Sequence, residues 1–450
     1  MSVQEAIRIY HDLLNNRLAR VSTEQLEEQL GKRGLYFGDR PLCTVLRPRF
    51  MDQRQYRLLQ ERIRVLMRAF NRAYRLAMAD KPFRDQFGLE EWEEDLIQHD
   101  PGFYNPVPVS RLDAFFLTDS DELWFTEYNA EVPAASAYND VLSEVFYGLP
   151  VMRKFMRRYN LRPLMSRHTV LQTLMETYYN WMPRNEPPRI AILDWNDVPT
   201  FSEFVLFDQF FKSHGFPCKI VDPREVEYKD GKLMSGDFHI TLIYKRVLIS
   251  ELYSRGGRDH PVLQAVRDGA VCMINPVQCK ILYKKCSLAV LSDDRNRHIF
   301  TQDERQAIAQ HIPWTRRVEE RHSDYNDTPV DLIPFILKYR ERFVLKPNDD
   351  YGGRGIVLGW NVDDATWEKA VYTAMQSPHV VQERVVIPTE PYPSLVDGRV
   401  QISDRQLDTA PFVFYGEYVD GCLTRLSTDT LINVTAGGGS TVPTFILEPR

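Results

Sequence analysis

Between residues 186 and 276 the chain alternates short apolar runs with amphipathic stretches, and this alternation constrains the fold more than any single motif. RIAILDW at 189–195 reads as a buried strand, PTFSEFVLFDQFFKSHG as a helix ending at Gly215, and CKIVDP as a second strand. HITLIYKR at 239–246 reads as a third strand, and a helix through LQAVRDG leads into AVCMINP at 270–276. Strands separated by helices pair in parallel, so the segment is expected to form a three-layer, Rossmann-like unit. No G-x-G-x-x-G follows its first strand, which argues against a dinucleotide role.

A chain of 450 residues is too long for one typical domain. The expected division is a helical region over 1–105, strands and helices over 106–185, the Rossmann-like unit over 186–278, and a strand-rich region with glycine loops over 279–450. With 43% hydrophobic and 26% charged residues the composition is that of a soluble globular protein. A net charge of −6 argues against a nucleic-acid partner, which needs concentrated Lys and Arg. No run approaches the roughly 20 apolar residues of a membrane span, and the N-terminus has no signal-peptide core, so a cytoplasmic location is the expectation. The six cysteines form no C-x-x-C pair and read as buried thiols.

Residues 1 to about 100 read as helical. Ser22-Thr23-Glu24-Gln25 and Thr301-Gln302-Asp303-Glu304 each fit a capping box. The stretch 53–79 has Leu58, Leu59, Ile63, Leu66, Met67 and Phe70 at helical spacing, with Arg54, Arg57, Arg62, Arg64, Arg68, Arg72 and Arg75 interspersed. A solvated basic face explains these arginines; the alternative is a surface for an anionic substrate or acidic partner. VPVSRLDAFFL and ELWFTEYNAEV, joined by Thr118-Asp119-Ser120-Asp121, read as two strands and a turn. KILYKKCSLAVLSDD reads as helical.

Two distant segments carry the chemistry. In Glu127-Tyr128-Asn129, strand alternation puts a carboxylate and an amide on one face, roughly 6.6 Å apart. Such oxygens suit Mg²⁺, which takes a few protein ligands plus substrate phosphates. In FVLKP a strand ends in Lys346, a point charge for phosphate. The following Asp350, Gly352 and Gly353 lie in a loop whose backbone can approach phosphate, or, alternatively, form a plain hairpin turn. G-x-x-x-x-G-K-[ST] is absent. Gln382 and Glu383 lie at the end of an apolar strand, and Gly437, Gly438 and Gly439 sit among small residues as a lid or a simple turn.

The order and spacing of these pieces resemble the glutathione synthetase of eukaryotic type and the synthetase half of glutathionylspermidine synthase. Both are ATP-grasp ligases of circularly permuted topology. In that branch the Glu-x-Asn precedes the nucleotide lysines, as Glu127 and Asn129 here precede Lys346. The resemblance implies an α/β, circularly permuted ATP-grasp fold, with the 186–278 unit inserted for substrate recognition. It implies ATP bound by Lys285, Lys346, Gly352, Gly353, Gln382, Glu383 and Val385, and Mg²⁺ held by Glu127, Asn129 and Asp350. Arg111, Lys346 and Arg425 would be catalytic, and Gly437–Gly439 would close as a lid. Of the adjacent pair Lys284 and Lys285, Lys285 is the better match. The matches span roughly 111–443.

Three positions depart from the pattern. Ser427 stands where the family has a lysine, and Val132 and Ala134 stand where glutathione synthetase has serines that contact the peptide substrate. The expected function is therefore an ADP-forming carboxylate–amine ligase working through an acyl phosphate, with glutathione chemistry itself in doubt. Its substrates are expected to be a small-molecule carboxylate and an amine, peptide- or polyamine-like; the resemblance also suggests a homodimer. The alternatives are a nucleotide-binding protein without ligase activity, and carboxylate activation with a thiol or water as acceptor.

Overall fold

The computed structural model describes residues 2–181, 186–350, 352–428 and 439–448. Its centre is a nine-stranded sheet. Six strands lie antiparallel in the order Thr389–Val396, Arg399–Leu407, Tyr418–Ser427, Ala410–Phe414, Val109–Leu117 and Glu122–Asn129. Ser440–Glu448 branches from Tyr418–Ser427 and pairs in parallel with Arg49–Asp52 and antiparallel with Asn160–Pro163. The first hundred residues thus contribute a strand to the sheet that the last sixty complete.

The two strands expected around residue 120 form a hairpin, turned at Asp121 with φ 59°. The helix Gln53–Ala79 forms as the periodicity requires, opened by a reciprocal capping box between Asp52 and Gln55. Leu59, Ile63, Leu66 and Phe70 are buried in the core, and the helix packs on the strand Tyr418–Ser427 and the helix Gln302–His311. Its arginines 54, 57, 64, 68 and 75 are exposed, so most of the basic face is a solvated one, whereas Arg62 and Arg72 are half-buried and Arg72 pairs with Glu304 at 2.9 Å.

The 186–276 alternation yields a four-stranded parallel sheet, ordered Cys272–Ile274, Leu242–Lys245, Ile190–Leu193, Cys218–Val221. Ile190–Leu193 and Leu242–Lys245 are buried along their whole length, as strands covered on both faces are. The strand expected over 239–246 is split at Thr241. The Thr241 and Leu242 N–H groups both donate to the Arg189 carbonyl, and Thr241 Oγ1 accepts from Arg189 N–H. This pins the chain, so Phe238–Ile240 joins a separate antiparallel sheet with Lys232–Ser235.

A further antiparallel sheet, Thr315–Arg317, His379–Glu383, Phe343–Pro347 and Val357–Leu358, has its own apolar cluster around Phe343, Leu345, Trp367, Val371 and Val381. Two other expectations change. Ser22 opens no helix: it lies inside Asn16–Arg33, which Asn15 caps, and its buried hydroxyl accepts from Val151 N–H at 3.3 Å. The stretch 280–294 is broken into Cys279–Tyr283 and Cys286–Ser292 because Lys284, with ψ 132°, leaves the helical region. The capping box at Thr301 forms as expected. All six cysteines are buried and free. Among the described residues no helix is long and apolar enough to cross a membrane.

Candidate functional site

The hairpin Val109–Leu117/Glu122–Asn129 sets the geometry. Arg111 faces Asn129 and Asp113 faces Glu127 across the two strands, so four polar side chains share one face. Leu112 and Tyr128, on the other face, are buried in the core. The register slips just beyond Asp113: Ala114 pairs with Phe125, which leaves Thr126 as an extra residue. Such a bulge twists the strand end and frees backbone groups. The Thr126 carbonyl indeed leaves the ladder and accepts from Lys346 Nζ at 3.2 Å.

Arg425 arrives from the strand Tyr418–Ser427. Its Nη2 donates to Asp113 Oδ2 at 2.6 Å and its Nε to Asp408 Oδ2 at 2.6 Å. Arg111 grips Asp113 in a fork of 2.8 and 3.2 Å and donates to the Ala134 carbonyl at 2.8 Å. Two guanidiniums therefore stand against two carboxylates. Burial alone would raise the Asp113 carboxyl, but Arg111 and Arg425 hold it well below the usual range. Both guanidiniums are oriented by fixed partners, which limits the reorganisation that binding an anion would need.

The kink at Lys284 sends adjacent lysines in different directions. Lys285 Nζ lies 3.0 Å from Glu127 Oε1 and donates to the Asp350 carbonyl at 2.5 Å. Burial favours the neutral form of Glu127, but Lys285 and Lys346 outweigh it and bring the group below its ordinary value. Lys284 turns instead into a buried ion cluster. It lies 2.7 Å from Glu93 and 2.6 Å from Asp349. Lys280 bridges Glu93, Glu131 and Asp349 at 3.3, 3.3 and 2.7 Å, and Lys245 lies 3.4 Å from Glu131. Three ammoniums thus balance three carboxylates. Asp349, despite burial, is pulled down to about 2 by Lys280 and Lys284, and it anchors the start of the glycine loop.

Lys346 Nζ donates to Gln382 Oε1 at 2.7 Å, and Gln382 in turn donates to Thr315 Oγ1 at 3.0 Å. Burial and the nearby Lys285 charge outweigh Glu127 and Asp113 and lower the Lys346 ammonium to about 8. Gly352 and Gly353 have φ of 66° and 75°, the left-handed region that favours glycine.

A cavity of about 360 Å³ opens beside these groups. Of the residues expected from the sequence, Arg111, Glu127, Asn129, Gly352 and Arg425 line it. Lys285 and Lys346 adjoin that wall through Glu127 and Thr126. Asp350 reaches Lys285 through its main-chain carbonyl. Gln382 is tied to Lys346, whereas Glu383 accepts from the Tyr325 hydroxyl and Val385 lies half-buried beyond the strand end. Gly439, half-buried, precedes Thr441 on the cavity wall; Gly437 and Gly438 lie outside the described residues. Sequence reasoning missed Asp113 as a working member of the site, although its position two residues after Arg111 on a strand was a usable signal. Asp408 carried none, and Lys284 reads only as the weaker match beside Lys285.

The donor set fits a magnesium ion. Glu127 and Asn129 offer oxygen only, and the position between the Glu127 carboxylate and the Asp350 carbonyl already accommodates a cation, the Lys285 ammonium. Asn129 Nδ2 is buried without a partner, as an amide held for the use of its oxygen would be. Among the described residues no three His, Cys, Asp or Glu side chains cluster as a self-sufficient metal site, so phosphate oxygens would have to complete the shell.

No protein-family model matches the chain, and no curated protein matches it. Among solved structures it is similar to a glutathione synthetase-like effector, GSS30, from Globodera pallida, in its apo form. The TM-score is 0.59 at 11% identity, over 97% of this chain and 99% of that one. At that identity the likeness is one of fold: this chain has a mixed α/β, glutathione synthetase-like fold.

Proposed function

We propose that this protein is an ATP- and Mg²⁺-dependent, ADP-forming carboxylate–amine ligase with a circularly permuted ATP-grasp fold. In this reading the 186–278 unit recognises substrate and 279–450 holds the nucleotide. The observation that carries it is the convergence of Arg111, Glu127, Lys285, Lys346 and Arg425, from four separate stretches of sequence, around one cavity. Such a set has little use in holding the core together and matches the needs of phosphoryl transfer, which are alignment and charge neutralisation.

A substrate carboxylate oxygen attacks the γ-phosphorus of ATP, and the bond to the ADP oxygen breaks. The amine nitrogen then attacks the acyl carbon, loses a proton, and inorganic phosphate leaves. Lys285 and Lys346 hold the phosphates. Arg111, kept in place by Asp113 and the Ala134 carbonyl, neutralises the transferring phosphoryl group and then the tetrahedral oxyanion. Arg425 orients the carboxylate. Glu127, Asn129 and Asp350 would hold Mg²⁺, which supplies charge neutralisation on the phosphate oxygens. Gln382, Glu383 and Val385 are assigned to the adenine edge, and Gly437–Gly439 to a lid that excludes water. A cytoplasmic location, small-molecule substrates and a homodimer belong to the same proposal.

ADP release with pooled carboxylates and amines tests it: turnover is expected only when both co-substrates are present. Glu127→Ala combined with Asn129→Ala is expected to abolish that turnover. If ADP release survives the double substitution, the magnesium assignment is wrong; if no pair stimulates release while ATP still binds, the ligase reading fails.

A further inference from the structure

Outside the cavity, the nine-stranded sheet holds a second group of charges, and these do not balance. Arg49, which opens the strand Arg49–Asp52, and Arg47, two residues before it, are both fully buried. One carboxylate serves both. Glu390, in the strand Thr389–Val396, has its Oε2 2.9 Å from Arg47 Nη2 and its Oε1 3.9 Å from Arg49 Nε. Arg405, in the neighbouring strand Arg399–Leu407, stands directly opposite Glu390 in the ladder, so the two side chains leave the sheet on the same face. Three arginines are therefore grouped about a single acid. None of the three has another ion-pair partner among the described residues, and none lines the cavity.

Their hydrogen bonds are incomplete as well. Arg47 donates to the Pro48 carbonyl at 3.2 Å and, besides Glu390, to the Pro391 carbonyl at 3.0 Å. Arg49 Nη1 donates to the Asp408 carbonyl at 2.9 Å and to the Thr409 hydroxyl. Arg47 Nε, Arg49 Nε, Arg49 Nη2 and Arg405 Nε are buried and reach no acceptor among the described residues. The face of the Tyr392 ring, 3.9 Å from the Arg47 guanidinium, offsets part of one charge. An imidazole in such a place sheds its proton: burial, and next the Arg47 charge, hold His11 at about 4. A guanidinium has no such escape, because it stays protonated throughout the working range of pH. Ordered water would satisfy the N–H groups but not the surplus charge, and a buried charge without a counter-charge is costly.

We propose that Arg47, Arg49 and Arg405 form a binding site for a small inorganic anion, with chloride as its type. The unpartnered nitrogens are enclosed by packing, which suits a monatomic ion rather than a phosphate or a substrate carboxylate. An anion there would complete the hydrogen bonding of Arg49 and steady it against the Asp408 carbonyl. Asp408 in turn holds Arg425, on the cavity wall, at 2.6 Å. The site thus reaches the cavity from outside it through two residues. It stands on burial, the charge count and the open donors, and not on the ligase reading.

The test is chloride binding to the full-length protein without nucleotide. It is read by broadening of the chloride resonance in NMR and by melting temperature in sodium chloride against sodium gluconate at equal ionic strength. The parent is expected to broaden the resonance and to melt higher in chloride, with a gain that rises with chloride concentration as ligand linkage requires. Arg49→Met and Arg405→Gln should each weaken chloride binding tenfold or more. Glu390→Gln, which removes the competing carboxylate, should strengthen it. If Arg49→Met does not fold, Arg405→Gln carries the comparison, since Arg405 is half-buried and has no hydrogen bond or ion pair to lose among the described residues. No broadening by the parent, equal melting in the two salts, unchanged affinity in the arginine variants, or weaker binding in Glu390→Gln overturns the proposal. Sites filled by water alone predict the first two of these. Neither ATP nor turnover enters the measurement, so its failure is distinct from failure of the ligase reading, which is judged by ADP release.

Discussion

The two sides of the cavity treat charge in opposite ways. On the side of the central sheet and the glycine loop, seven acids stand against bases: Asp113 and Asp408 against Arg111 and Arg425, Glu127 against Lys285, and Glu93, Glu131 and Asp349 against Lys245, Lys280 and Lys284, with Glu304 against Arg72 further along the sheet. On the side of the parallel sheet, Asp194 and Glu251, which also line the cavity, have hydrogen-bond donors but, among the described residues, no ion-paired cation. A compensated network is rigid and pre-aligned before any ligand arrives, which suits groups that must meet a reacting phosphate. An uncompensated pair raises the energy of the folded protein.

The comparison is most exposed to breakage at Asp349. Asp349→Ala removes one carboxylate from a balanced set of six and leaves Lys280 and Lys284 short of a partner. The expected loss is about 3–5 kcal/mol, read as a fall in melting temperature or denaturant midpoint. A loss below about 1 kcal/mol would mean that the cluster is not the tight, dry set the distances describe.

Asp194→Asn should act in the opposite direction. The folded-state carboxyl is raised to about 7, well above its value in the unfolded chain. As pH rises the unfolded chain gives up this proton first, so the parent protein loses stability between pH 4 and 7 and keeps the full penalty above. The variant, which has no proton to lose, should be more stable by up to about 4 kcal/mol at pH 8, with the gap closing toward pH 4. Unfolding curves across that range check both the sign and the window.

A smaller effect is expected at Lys346. Its ammonium titrates near 8 in the free protein, so ATP affinity should fall as pH rises past that value, by no more than tenfold per unit. Lys346→Arg, which keeps its charge, should flatten the profile, as calorimetric titration at pH 7 to 9 would show. Least of all is expected from the exposed pair of Arg54 and Asp121: Arg54→Ala should leave the melting temperature unchanged, since a solvated ion pair contributes little.

Much of this was legible in the sequence, and the reason is periodicity. The parallel strands, the helix Gln53–Ala79 and the hairpin around residue 120 follow from local spacing alone. So does the sharing of one strand face by Glu127 and Asn129. Where a hydrogen bond from outside the element intervened, the reading slipped. Asn15, rather than Ser22, caps its helix; Thr241 is pinned by Arg189 and splits a strand; and Lys284 leaves the helix for an acid cluster.

The sequence by itself determined which residue types are present and how they alternate: a carboxylate and an amide two apart, a lysine at a strand end, glycines able to take positive φ. Tertiary structure alone decided which charges are compensated. Arg425 meets Asp113 across 312 residues, and Lys284 and Lys285, neighbours in the chain, serve different clusters. Asp194 looks like any other aspartate in the sequence and is distinguished by its burial without a base at ion-pair distance among the described residues. The energy of a charge depends on what lies within a few ångströms of it in space and on the water excluded there, and neither is a property of neighbours along the chain.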